Sequence, residues 1–108
     1  MTQVSAALTT DGNNRGELWS KLNITLAAPT TTVVKSGSGA LHSIVFNKPV
    51  ATGVVTIYDN TTASGTIIGT ITVPASPQPF TLVYDCALTT GLTIVTATAA
   101  QDITINYI

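Results

Sequence analysis

From Leu22 to the C-terminus, short runs of β-branched and aliphatic residues recur about every ten positions, each closed by turn formers. Leu22-Asn23-Ile24-Thr25-Leu26 alternates apolar and polar side chains, the period of a half-buried strand. The same reading places strands at 31–35, 40–46, 54–58, 66–73, 80–84, 92–96 and 103–107. The breaks between them are built from Ser36-Gly37-Ser38-Gly39, Asn47-Lys48-Pro49, Asp59-Asn60 and the Pro74, Pro77, Pro79 series. No helical period intervenes, so the chain is predicted to be all-β. About eight antiparallel strands at this spacing make a single β-sandwich rather than a βαβ fold. Strand order is not encoded in the spacing, and a jelly-roll and an immunoglobulin-like arrangement both stay open.

The side-chain chemistry agrees. Only 8% of the residues are charged, against roughly 25% in an average domain. Threonine, at about a fifth of all positions, supplies the missing polarity. It is stiff at χ1, suits a pleated sheet, and wets an exposed face without charge. Too few Glu, Lys and Arg remain to solvate helices. At 108 residues, one core is all the chain can bury.

Residues 1–20 read differently. Thr9-Thr10-Asp11-Gly12-Asn13-Asn14-Arg15-Gly16 is a turn or loop cluster without apolar period, followed by Glu17-Leu18-Trp19. We expect residues 1–20 to form an N-terminal arm or leader and residues 21–108 the sandwich. Leu18 and Trp19 are candidate interface residues that dock the arm on the domain or on a neighbour. Gly69, inside a predicted strand, marks either a bulge or a close backbone contact. Alternation there puts Ile67, Gly69, Ile71 and Val73 on one face.

Charge and composition exclude several function classes. The four basic residues, Arg15, Lys21, Lys35 and Lys48, do not cluster, and the net charge is −1; nucleic-acid binding needs a basic surface. No apolar run reaches membrane-spanning length, and the N-terminus lacks a secretory pattern, so the expectation is no membrane and folding in a cytoplasm. Near-neutral surfaces associate readily, which favours a homo-oligomer.

Little in the chain suggests catalysis. Asp59 and Asp85 each follow a tyrosine at a predicted strand end, where carboxylates accept hydrogen bonds from turn amides. His42 lies inside a strand on the face opposite Leu41 and is a third candidate interface residue. An enzyme would need a second titratable group brought to His42 by the fold. A metal centre needs more ligands than one His and one Cys supply. Cys86 reads as a buried structural thiol. In Lys35-Ser36-Gly37-Ser38-Gly39 the lysine precedes the glycines and a strand follows, unlike a phosphate-binding loop. The expectation is therefore no catalytic residues, no cofactor and no metal. The six aromatic residues are mostly placed in the core or on a sheet, which argues against a sugar-binding platform.

Residues 31–108 resemble small proteins encoded by tailed bacteriophages. The resemblance is carried by Val34-Lys35-Ser36-Gly37-Ser38-Gly39-Ala40-Leu41-His42-Ser43-Ile44 and Gly53-Val54-Val55-Thr56-Ile57-Tyr58-Asp59. Three more segments continue it: Gly65-Thr66-Ile67-Ile68-Gly69-Thr70-Ile71, Thr89-Thr90-Gly91-Leu92-Thr93 and Asp102-Ile103-Thr104-Ile105-Asn106-Tyr107. It spans about seven-tenths of the chain and omits the arm. What it implies is a virion structural protein made in the host bacterial cytoplasm. Capsid decoration (a cement protein stabilising the head shell) comes first. The expected partners are the major capsid protein or other virion proteins, with the chain as a homo-oligomer, a trimer favoured. The alternatives are a head–tail connector, tail or fibre-base component, and a carbohydrate-binding or adhesin-like module.

Overall fold

The computed structural model describes residues 20–26 and 30–108. Eight strands follow in order: β1 (Ser20–Leu26), β2 (Thr30–Ser36), β3 (Gly39–Lys48), β4 (Val54–Asp59), β5 (Thr66–Thr72), β6 (Phe80–Leu88), β7 (Gly91–Ala97) and β8 (Gln101–Tyr107). Each predicted strand is present, and most run one to four residues beyond the stretch read from the sequence. The fold is all-β, with two antiparallel four-stranded sheets packed as a sandwich.

The first sheet has the order β1-β8-β3-β6, and the second β2-β7-β4-β5. Strands pair as β1 with β8, β2 with β7, β3 with β6 and β4 with β5. The chain is thus one long hairpin, its tip between β4 and β5. Rolling the hairpin brings β3 against β8 and β4 against β7. This is the double Greek-key arrangement of a jelly roll, so the strand order selects it over the immunoglobulin-like alternative.

Alternation along the strands fills the space between the sheets. Leu41, Ile44 and Phe46 of β3, Val55 and Ile57 of β4, Leu92 and Ile94 of β7, and Ile103 and Ile105 of β8 are fully buried. Each such side chain contributes roughly 1.5–3 kcal/mol through removal from water. Phe46 stacks on Phe80, ring centroids 4.4 Å apart. The core is thus deepest under the central strands, while the side between β5 and β6 is closed by half-buried side chains, among them Phe80, Leu82, Tyr84 and Ile68.

Two corners pass between the sheets with minimal loops. Gly37, at φ +99°, turns β2 into β3, and its N–H donates to the carbonyl of Thr90 in the β6–β7 corner at 2.8 Å. That second corner is held by Asp59, as described below. The 66–73 strand departs from simple alternation. A bulge opposite the Ile57–Tyr58 step inserts Ile68, so Gly69 opposes Ile57 while Ile67 opposes Tyr58. Ile67 therefore lies on the outer face, 53% exposed, and not with Gly69, Ile71 and Val73 as strict alternation predicts. Gly69 meets both halves of its expectation, since it adjoins this bulge and a Tyr84 contact.

Candidate functional site

The outer faces of the two sheets differ in chemistry. Cross-strand partners share a face, so the registers define each one. On the second sheet, one row runs Val33–Thr93–Tyr58–Ile67 and the next Thr31–Val95–Thr56–Thr70, with Ala97–Val54–Thr72 beyond. These three rows contain no charged side chain. Val33 is 51% exposed and Ile67 53%, while Thr93 is fully buried beneath the row and its hydroxyl donates to the Asn60 carbonyl at 2.7 Å.

The outer face of the first sheet is polar. It carries His42, Ser43, Asn47, Asp85, Asp102, Thr104 and Asn106, with Val45, Thr81 and Val83 among them. Asn47 donates to Thr104 Oγ1 at 3.0 Å and to Asp102 Oδ1 at 3.3 Å. Asn106 donates to Ser43 Oγ at 2.8 Å. The domain is two-faced: one face exchanges hydrogen bonds and carries charge, and the other offers only methyl groups, hydroxyls and one phenol ring.

His42 sits on that polar face, opposite in direction to buried Leu41, as alternation predicts. Its Nδ1 pairs with the Asp85 carboxylate. Here the reading of Asp85 as a turn residue is corrected. Asp85 lies within β6, which continues to Leu88, at a bulge where two residues of β6 oppose His42. Its φ of +46° is a left-handed conformation that Asp tolerates better than most residues. The bulge turns the carboxylate toward the imidazole.

This is the second titratable group that chemistry at His42 would require. A carboxylate on Nδ1 orients an imidazole for work as a base. A reaction also needs a nucleophile in reach and a recess that excludes water. The adjacent Ser43 is only 4% exposed, and its hydroxyl is engaged by Asn106. The open depression lined by Lys48, Val50, Ala100, Gln101 and Asp102 lies at the opposite end of the sheet. Half-exposed, the pair joins β3 to the edge strand β6 across their shared bulge. Among the described residues, no group of three His, Cys, Asp or Glu is placed to hold a metal.

The Asp59 reading agrees with the structure. Its carboxylate accepts from the Thr89 N–H at 3.0 Å, the Thr89 hydroxyl at 2.9 Å, the Thr90 N–H at 2.9 Å and the Gly91 N–H at 3.3 Å. These donors, Thr89 N–H foremost, lower its pKa to about 2. The group is a brace for the β6–β7 corner. Cys86 faces the core beside Tyr84, half-buried, and burial pushes its thiol above the ordinary value, with the Asp59 and Asp85 charges adding to the shift. It is held as a neutral thiol and is a poor nucleophile. Of the aromatics, Phe46 is buried, and Phe80, Tyr84 and Tyr107 pack on the core. Tyr58 alone among these lies on an outer face, half-buried in the uncharged row.

Leu18 and Trp19 lie outside the described residues. His42 is not joined to the uncharged face, which sequence reading did not single out. Its signal was present: Thr31, Val33, Val54, Thr56 and Tyr58 alternate with core positions and include no charge. Which strands are neighbours, however, is a property of the fold. Compared with protein-family models, with curated proteins and with solved structures, the chain matches none.

Proposed function

We propose that this protein is a structural component of a bacteriophage particle, a capsid decoration protein that binds the assembled head shell as a small homo-oligomer. The observation that carries the reading is the uncharged outer face of the second sheet. A face without charges or strongly hydrated groups loses little on desolvation, and exposed apolar patches of this kind mark association surfaces. Its threonine hydroxyls keep it wettable before docking. The polar first sheet then stays toward solvent. The segment resemblance to tailed-phage proteins supplies the identity of the partner, the major capsid protein or another virion component.

The test is cosedimentation of the purified chain with empty head shells, alongside its solution mass across a hundredfold concentration range. Saturable binding at many copies per shell is expected, from a stable oligomer. Thr56→Lys or Val33→Glu in the uncharged face should weaken binding at least tenfold, about 1.4 kcal/mol. Asn47→Lys, on the polar face, should leave it unchanged. Failure of the wild-type chain to bind shells overturns the reading. Binding at a few copies to necks or tails moves it to a head–tail or tail role.

A further inference from the structure

We propose that residues 3–9 of a second copy of this chain add as a strand to the open edge of β6. The inference deepens the homo-oligomer of the proposed function and rests on it only for the existence of an oligomer.

The acceptor is defined by what β6 lacks. Proteins protect long sheet edges with lysine, proline, short strands or bulges. β6 has nine residues, the longest of the four edge strands, and carries neither lysine nor proline. Its single charge, Asp85, is turned onto His42. β5, the edge facing it across the core, is interrupted by the Ile68 bulge, and β1 and β2 carry Lys21 and Lys35. The Asp85 bulge leaves the first half of β6 regular: residues 80–83 pair in step with Phe46, Val45, Ile44 and Ser43. Along this half the inward-facing Phe80, Leu82 and Tyr84 are only half-buried, and the outward-facing Val83 is 62% exposed, the highest of the large apolar side chains among the described residues. An added strand would cover both sets.

The donor is defined by the chain ahead of β1. Nineteen residues precede Ser20. Val4, Ala6 and Leu8 alternate with Gln3, Ser5, Ala7 and Thr9, the pattern of a strand with one apolar face, and no side chain from Met1 to Thr10 is charged. Laid antiparallel along residues 80–84, Leu8, Ala6 and Val4 cover Phe80, Leu82 and Tyr84 in turn. Backbone pairing supplies affinity, and side-chain alternation sets the register.

The direction of the chain favours a neighbour as donor. Ser20 pairs with Tyr107, and Leu41 pairs with both Tyr107 and Cys86, so the arm leaves the sheet at the Leu88 end of β6. The β1 edge is three strand spacings away, about 14 Å. A direct path over that end lays a copy's own arm parallel to β6, in a sheet that is otherwise antiparallel. Parallel pairs are the weaker kind. An arm from a second copy is free to arrive antiparallel.

The experiment uses the full chain. Ala6→Pro removes an amide donor from the arm, outside the described sandwich, and Ala6→Ser keeps it. Sedimentation should show the wild type and Ala6→Ser as oligomers and a shift to monomer for Ala6→Pro, with the dissociation constant raised at least tenfold and the circular-dichroism spectrum of the folded domain unchanged. In a Cys86→Ala background, Ser5→Cys with Val83→Cys, which face each other in the antiparallel register, should oxidise to species of two or more chains on a denaturing gel. An Ala6→Pro chain that stays oligomeric, a monomeric wild type, or a cross-link confined to single chains overturns the inference. Shell binding by each variant is read separately, so loss of the oligomer with retained shell binding separates this inference from the proposed function.

Discussion

Tyr84 of β6 reaches across the sandwich and lays its ring over Gly69 of β5, so closely that a Cβ on Gly69 would stand 2.6 Å from the phenol oxygen and 3.3 Å from the ring. The two edge strands are thereby fitted to each other at the side where the core is thinnest. The glycine is needed for this approach and not for its backbone angle.

Gly69→Ala is accordingly expected to destabilise the domain by about 1–3 kcal/mol, the usual cost of overpacking. Tyr84→Phe removes the closest atom, so the double variant should recover part of that loss. Urea unfolding of the four proteins in this cycle reads the coupling. Additive effects would mean that the ring moves aside freely.

Asp59 makes stability depend on acid. Its folded pKa, about 2, lies below the ordinary 3.8 because the amides of the β6–β7 corner hold the ionised form. The stabilisation is therefore complete above about pH 4 and is lost as pH falls through about 2. Asp59→Asn should cost about 1–2 kcal/mol at neutral pH. The difference from wild type should shrink between pH 4 and pH 2 in urea titrations. A gap that stays constant with pH would remove the carboxylate's charge as the cause.

Gln101, 1% exposed, acts as a piece of backbone. Its Oε1 accepts from the Val50 N–H at 3.0 Å, and its Nε2 donates to the Val50 carbonyl at 3.1 Å. Gln101→Leu strands both groups and should cost about 1–3 kcal/mol. Hydrogen exchange at the Val50 amide should accelerate. Gln101→Glu keeps the acceptor but sets a buried carboxylate oxygen against the Val50 carbonyl, and is expected to cost at least as much at neutral pH.

Thr96 is the opposite case. It is fully buried, and its hydroxyl has no hydrogen-bond partner among the described residues. A buried hydroxyl without a partner costs free energy, so Thr96→Val should raise stability by about 1 kcal/mol. Thermal unfolding checks this, and a lowered midpoint would show that the hydroxyl is bonded after all.

Local period and turn chemistry carry what can be read from the chain alone. Each of the eight strands follows from period-two alternation between breaks such as Ser36-Gly37-Ser38-Gly39 and the Pro74 to Pro79 series, and the Asp59 brace follows from a carboxylate placed where a strand ends. The same logic misplaced Asp85 and Ile67. Both sit at bulges, and a bulge is created by mismatch between two strands, not by either strand's own residues. Once β6 carries one extra residue against β3, Asp85 belongs to the strand and meets His42; once Ile68 is inserted against β4, Ile67 moves from the core side to the surface.

The all-β class and the eight strands of the described residues were thus determined by the sequence itself, because alternation and turn preference act over a few residues. The jelly-roll order, the His42–Asp85 pair, the approach of Tyr84 to Gly69 and the gathering of uncharged residues on one outer face were decided only by the tertiary structure. Each joins strands distant in the chain, and their register is set by how two sheets share one core.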